Sequence, residues 1–327
     1  MLKYRFLYKK SIRNKLEVWI TQSILDDISD EGAAFEIPEK FRRILQNKVA
    51  RQFVIDELVS SKKNLTGTAG NNIVKLYEEL DLKKDSLEKM SSTQWYIKAK
   101  GIQELYLMDQ NDMLKRIYKN INSRNEYIRM EAQTGIIHMS GFDGLRFLDV
   151  VAYPLTEWQQ LKLLDQLKLN DVKENFSQSI IRWLTSHNDT VIIFALKLAA
   201  EYQQFSVHND AARALHHTNG NVRYQAIKTL KRLANETTAS LLANHFPKEN
   251  QRNRLLILEV LTDIGSVEQT NFLENLLNVK DITIQLKAAT ALAKAIPGGN
   301  ELLYQKAIAQ PDLLSAVYLH VKAALKL

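Results

Sequence analysis

From about residue 90 to the C-terminus, apolar and polar positions return with a period of about 31 residues. The inward-facing anchors are Ile97, Ile128, Gln159, Val191, Val222, Asn253, Ile284 and Ser315. Each step between them is 31 residues except Gln159 to Val191, which is 32. Four residues after each anchor, one helical turn on, stands Gly101, Ala132, Leu163, Ala195, Ala226, Ile257, Ala288 or Leu319. Within a unit the apolar residues follow the helical period, as in Val222, Ala226, Ile227, Leu230 and Leu233, and again in Ile284, Ala288, Leu292 and Ile296. Three residues before the anchors the chain reads Gln94, Asn125, Thr156, Asn188, Asn219, Asn250, Asp281 and Asp312. Short side-chain acceptors at a helix start satisfy amide donors that have no partner inside the helix, so this column predicts helix caps.

A second helix per unit is visible in FDGLRFLDVV, TTASLLANHF and EQTNFLENLL. Units of this size cannot bury their apolar faces alone and must stack on their neighbours. The expectation is an all-α fold: an α/α superhelical solenoid of about seven to eight helical pairs over residues 91–327, capped by a helical region over residues 1–90. In that first region helices are predicted across 16–28 and 38–60, with Pro38 suited to a first helical position. The glycines of NLTGTAGNN read as a break before a short helix, NIVKLYEELDL.

Composition narrows the function classes. The 327 residues are 45% apolar and include no cysteine, which removes disulfides, thiol nucleophiles and Cys-ligated zinc and suits a reducing cytoplasmic compartment. No apolar run is long enough to cross a bilayer, and the first residues do not read as a signal peptide. The net charge of +7 is uneven: residues 1–130 hold 24 bases and 18 acids, whereas the remainder holds 20 and 19. A solenoid that tracked nucleic acid would concentrate its bases in the repeats, so nucleic acid is a disfavoured partner.

The units resemble HEAT repeats of the short bacterial kind found in lyase-like HEAT proteins. The resemblance rests on N-x-x-V-R-x-x-A at Asn219, Val222, Arg223 and Ala226, on EYIRMEA at Glu126 to Ala132 and, more loosely, on DITIQLKAATAL at Asp281 to Leu292. It covers residues 90–327 and is specific for architecture. Gln160, Ile192 and Asn253 depart from the motif, and the array is expected to bend or twist there. Family members are mostly scaffolds and adaptors, some partner lyases or kinases, and one branch removes alkylated bases from DNA. The strings KNKVARQFVIDELVSSKKNLTG and WYIKAKGIQELYLMDQ are similar to a Bacteroidetes-type HEAT group. That resemblance implies a membrane-associated accessory role in envelope or exopolysaccharide synthesis, with the chain as the soluble part of an anchored protein at the inner face of the membrane.

Several side chains are candidates for partner contact. Lys98, Arg129, Arg223 and Arg254 follow the anchors as a basic ladder, interrupted at Gln160 and Ile192. They could clasp an acidic partner or, alternatively, brace neighbouring repeats. Trp95, Tyr96, Trp158 and Trp183 are candidate aromatic anchors, with Trp183 favoured for the core. Lys3, Arg5, Lys9, Lys10, Arg13 and Lys15 are interleaved with aromatics and suit an anionic membrane surface; an ordinary exposed helix is the alternative. A second basic run, Lys40, Arg42, Arg43, Lys48 and Arg51, could be neutralised by the acids from Asp26 to Glu39. The seven histidines show no metal-ligand spacing, and no phosphate-loop, dinucleotide or hydrolase motif is present, so neither metal nor cofactor is expected.

The leading expectation is a non-catalytic protein–protein scaffold or regulatory adaptor. The membrane-associated accessory protein is the alternative. A HEAT-type DNA glycosylase, with Trp95, Trp158, Arg129 and Asp149 in imagined roles, is the least favoured.

Overall fold

The structure is a computed structural model that describes residues 2–25, 35–169 and 175–326, with side chains from residue 13 onward. Among the described residues the chain is all-helical and has no strand, and the helices pack in a repeat-like arrangement. It falls into two compact units, Met1–Tyr153 with Glu157–Val172, and Pro154–Thr156 with Lys173–Leu327. Within the first unit, the helices Lys48–Lys62 and Lys83–Met90 pack against Trp95–Leu107, the first long repeat helix.

The first unit contains α1 (Leu2–Leu25), α2 (Glu39–Ile44), α3 (Lys48–Lys62), α4 (Gly67–Glu79), α5 (Lys83–Met90), α6 (Trp95–Leu107), α7 (Leu114–Tyr118), α8 (Glu126–Ser140) and α9 (Glu157–Leu167). In α1, Leu16, Ile20 and Ile24 recur every four residues and are buried with Trp19 against α3 and α4. The Trp19 ring also lies 5.0 Å from Phe41 of α2. The helix expected across 38–60 is interrupted at 45–47, where the Asn47 side chain accepts from Val49 N at 2.8 Å and starts α3 anew. The expected break falls at the start of the glycine-bearing segment, between Lys62 and Gly67; α4 then begins at Gly67, in the left-handed region at φ +64°, and takes in the remaining residues including Gly70.

The second unit contains α10 (Ser177–Trp183), α11 (Asp189–Glu201), α12 (His208–Arg213), α13 (Gly220–Arg232), α14 (Thr238–His245), α15 (Gln251–Ile264), α16 (Thr270–Leu276), α17 (Ile282–Ala295), α18 (Gly299–Ala309) and α19 (Pro311–Leu325). The long helices α11, α13, α15 and α17 pack side by side in chain order, and the shorter helices pack behind them. Val222, Ala226, Ile227 and Leu230 of α13 meet Ile257, Leu258 and Leu261 of α15 and Ile284, Ala288 and Leu292 of α17 in one continuous core. Burying such side chains contributes roughly 1.5–3 kcal/mol each, and that is what holds units together that could not stand alone.

The cap column holds at five positions. Asn125, Asn188, Asn219, Asn250 and Asp281 each accept from backbone amides of the first turn that follows. Gln94 occupies the cap position of α6 without a side-chain bond, and Thr156 stands just before α9. Asp312 is not a cap, since α19 already begins at Pro311. The buried stripe of α19 is Leu314, Val317 and Val321, so Leu319 faces solvent instead of occupying the small-residue column. The expected helix in FDGLRFLDVV is instead a run of 3-10 turns over Gly141–Asp149.

Gly101 shows how tight the small-residue column can be. A Cβ there would lie 2.4 Å from Met90 N and 2.8 Å from Ser86 O, both backbone atoms of α5, so no rotamer change could relieve it. Gly101→Ala is expected to destabilise the chain by about 2 kcal/mol, read as a lower urea midpoint at unchanged slope.

Candidate functional site

The arginines of the expected ladder turn inward. Arg129 Nη1 donates to Ser123 O at 2.8 Å and Arg124 O at 2.9 Å, and its guanidinium lies 4.2 Å from the Tyr153 ring centroid. Arg223 Nη1 donates to His217 O and Thr218 O, both at 2.9 Å. Arg254 reaches Phe246 O at 3.2 Å and Pro247 O at 2.7 Å. In each case the guanidinium ties its own helix to the loop that precedes it, while the cap residue of that loop closes the first turn. Lys98 is half-buried on α6. The residues do not converge on one open surface.

Arg223 also holds a buried acid that the sequence reading missed. Glu249 is fully buried and accepts from Arg223 Nε at 2.8 Å and Asn253 Nδ2 at 2.9 Å, with His245 Nε2 at 2.9 Å. Burial alone would raise its carboxyl, but the bonds from Arg223, Asn253 and His245 outweigh burial and hold it below the ordinary carboxylate range. Asn253, a departure from the repeat motif, is thus a working partner of this acid.

In the first unit a polar cluster threads α3, α6, α8 and α9. Glu131 of α8 accepts from Tyr106 Oη and Lys162 Nζ, each at 2.8 Å. Burial and then the neighbouring Glu131 push the Tyr106 phenol well above its usual value. Asp109, in the left-handed region at φ 51°, meets Lys62 at 2.9 Å and His138 Nε2 at 3.0 Å, and Gln166 lies 3.1 Å from His138 Nδ1. Burial raises the Asp109 carboxyl, but the bonds from His138 and Lys62 outweigh it and lower it overall. Glu104 is buried and receives Lys89 Nζ and Ser86 Oγ, both at 2.6 Å. Each acid is already matched by a cation, so the cluster staples helices together and presents no unpaired base. A signal was available: Lys100, Glu131 and Lys162 stand one repeat apart.

The aromatic candidates separate into two groups. Trp183 is buried, and belongs to the core. Trp95, Tyr96 and Trp158 are exposed at 45%, 56% and 68%, and Tyr127 joins them at 47%. Trp95 stacks on Tyr127 with ring centroids 4.8 Å apart, and Tyr96 meets Trp95 edge-on at 5.7 Å. Tyr96, Tyr127 and Trp158 precede three successive anchors and stand 31 residues apart. They therefore occupy one repeat position, in the first turns of α6, α8 and α9.

Of the basic start, the side chains of Lys3, Arg5, Lys9 and Lys10 lie outside the described residues. Arg13 stands over the Phe53 ring at 5.2 Å, and Lys15 is exposed. Among the described residues no helix is long and apolar enough to cross a membrane. Among the described residues the second basic run meets the expected acids only at Arg43, which pairs with Glu39, while Lys48 and Arg51 turn to α5. Arg51 pairs with Asp85 at 2.6 Å and Lys48 with Glu88 at 2.9 Å, both acids on α5, and Arg43 pairs with Glu39 at 3.4 Å. Asp26 to Glu31 lie outside the described residues. No group of three potential ligands that could hold a metal is found among the described residues.

Two outcomes test the braces. Arg129→Gln and Arg223→Gln are each expected to cost about 2 kcal/mol in chemical denaturation, whereas Lys98→Gln should stay within about 0.5 kcal/mol of the parent. Glu249 has a lowered folded-state pKa, so its contribution is complete above its unfolded value, about 4.3, and fades as pH falls through the folded value. Glu249→Gln is expected to cost about 3 kcal/mol at pH 7 and to lessen the fall in melting temperature between about pH 5 and pH 3.

No protein-family model and no curated protein matches the chain. Among solved structures, an engineered helical protein is 14% identical, covers 95% of this chain and 89% of its own, and gives a TM-score of 0.35. A structure of human deoxyhypusine hydroxylase in complex with glycerol is 12% identical, covers 88% and 98%, and gives 0.34. A second engineered protein is 13% identical, covers 79% and 95%, and gives 0.27. The hydroxylase is by its name an enzyme, and the expectation that this chain is non-catalytic is withdrawn, because a helical fold does not by itself imply or exclude an activity.

Proposed function

We propose that the chain is a protein-binding scaffold or regulatory adaptor whose units are HEAT-like repeats of the short bacterial type. The repeat assignment is supported by the pairing of a capping Asn with an arginine four residues on, seen at Asn125 with Arg129, Asn219 with Arg223 and Asn250 with Arg254. The binding reading is carried by the aromatic edge of the first unit. Tyr96, Tyr127 and Trp158 are exposed at one repeat position, with Trp95 stacked on Tyr127. Isolated exposed hydrophobes need no explanation, but large aromatics placed in register on neighbouring helices do. Trp and Tyr supply wide contact area at low entropic cost, and they are enriched where partners dock.

The test uses the full chain as bait in extract from its native source, beside a Tyr127→Ala/Trp158→Ala variant. The parent is expected to retain a defined set of proteins that the variant loses, each aromatic contributing about 2 kcal/mol of binding. Melting temperatures of the two chains should agree within a few degrees, as for exposed positions generally. An unchanged set of recovered proteins would refute the aromatic edge as the docking surface.

A further inference from the structure

The first turns of α6, α8 and α9 repeat with one difference. Tyr96, Tyr127 and Trp158 share a repeat position, and the residues just before them are Trp95, Glu126 and Glu157. On α6 this preceding residue spans the gap to the next helix. The Trp95 indole stacks on Tyr127 of α8 at 4.8 Å between centroids and meets Tyr96 edge-on at 5.7 Å, so one planar group touches both phenols. Between α8 and α9 the same gap recurs, bounded by Tyr127 and Trp158, but Glu126 stands where α6 has Trp95. The chain therefore supplies no ring to the second gap, and offers a carboxylate there instead.

Among the described residues no ring contact joins Tyr127 to Trp158, and neither Glu126 nor Glu157 has an ion-pair partner. The other charges close by in the chain are largely committed. Arg129 is bonded to loop carbonyls and Lys162 to Glu131. That leaves two exposed acids, Glu126 and Glu157, against one exposed base, Arg124 in the loop before α8. An acid in a first turn is favoured by the helix dipole, which accounts for the charge but not for the exposed rings that flank it.

We propose that the gap between α8 and α9 receives an arginine side chain of a partner protein, its guanidinium lying between Tyr127 and Trp158 and bonded to the Glu126 carboxylate. This rests on the reading of the aromatic edge as a docking surface and names the group that docks there. The occupant has to match the indole of the neighbouring gap in shape and answer Glu126 in charge. A guanidinium does both: it is planar, always charged and weakly hydrated, it stacks on aromatic faces, and its fork of donors fits a carboxylate. An ammonium brings the charge without the plane, and an aromatic ring brings the plane without the charge. The chain already packs guanidinium on phenol, with Arg129 4.2 Å from the Tyr153 ring centroid and Arg252 3.8 Å from that of Tyr224. Two such contacts, one on each face, need about 8 Å, and neighbouring helices lie about 8–10 Å apart. The two acids repel phosphodiesters and acidic segments from the same place.

The experiment titrates a labelled Gly/Ser peptide bearing a pair of arginines with the full chain, and reads fluorescence anisotropy at about 50 and about 300 mM salt. The same peptide with lysine in place of arginine is run in parallel. The arginine peptide is expected to bind at low salt, to weaken at high salt, and to bind about fivefold more tightly than the lysine peptide. Glu126→Gln should weaken it about threefold and Trp158→Ala about fivefold. Glu126→Trp, which brings the α6 indole into the second gap, should weaken it about tenfold. Arg124→Gln should strengthen it about twofold, a gain that a folding defect could not produce. No binding at low salt, equal binding of the lysine peptide, or affinity indifferent to Glu126→Gln and Glu126→Trp would each overturn the proposal. In native extract, proteins that the Tyr127→Ala/Trp158→Ala chain loses but the Glu126→Trp chain retains would also overturn it, while leaving the aromatic edge in place as a docking surface.

Discussion

The starts of three long helices, α8, α13 and α15, are each held by a capping side chain and a guanidinium that works on the preceding loop. Asn125 with Arg129, Asn219 with Arg223 and Asn250 with Arg254 repeat this arrangement. The cap satisfies amides at the helix start, and the arginine satisfies carbonyls left over where the previous segment ends. An unsatisfied buried polar group costs about 1–3 kcal/mol, comparable to the burial of an aliphatic side chain. The connection between successive elements is therefore fixed in length and direction, and the apolar stripe of each long helix meets the next one in register.

Register then has consequences on the face that is not buried. A residue type repeated at one position becomes a column on neighbouring helices. In the first unit this places Tyr96, Tyr127 and Trp158 on successive first turns, and it places Glu131 where Lys162 can reach it at 2.8 Å. In the second unit it sets Asp263 between Lys231 and Lys294. The exposed pairs at Asp263 add little to stability individually. Their importance is that they decide which charges are cancelled and which remain available to a partner.

The exceptions to the motif have physical causes. Asn253 stands where an aliphatic anchor is expected, and it is buried because Glu249, equally buried, needs a donor beside Arg223. The last helix begins at Pro311, whose missing amide hydrogen suits a first turn, and this start sets a buried stripe that leaves Leu319 in solvent. Gly101 belongs to the small-residue column for a stricter reason than its neighbours, since α5 crosses α6 at backbone contact there.

The helical class, the period, two of the three second helices and five of the caps were legible in the residues, because they depend on local periodicity and on short-range bonds between a side chain and the backbone amides just after it. The aromatic column was half legible: Trp95, Tyr96 and Trp158 could be singled out by type, while Tyr127 becomes meaningful only when the repeat register is applied to it. Other features were decided by tertiary structure alone. The basic ladder leaves partner contact and bracing both open in one dimension, since a long flexible side chain can turn either way; the loop carbonyls beneath Arg129, Arg223 and Arg254 draw them in. Arg51 and Lys48 pair with Asp85 and Glu88 across α5 and not with acids nearer in sequence, because packing sets the distance. The near-neutral charge of the repeats likewise says nothing of where each charge lies. A sum over residues has no direction, and only the packing of α13, α15 and α17 sets Asp263 between Lys231 and Lys294.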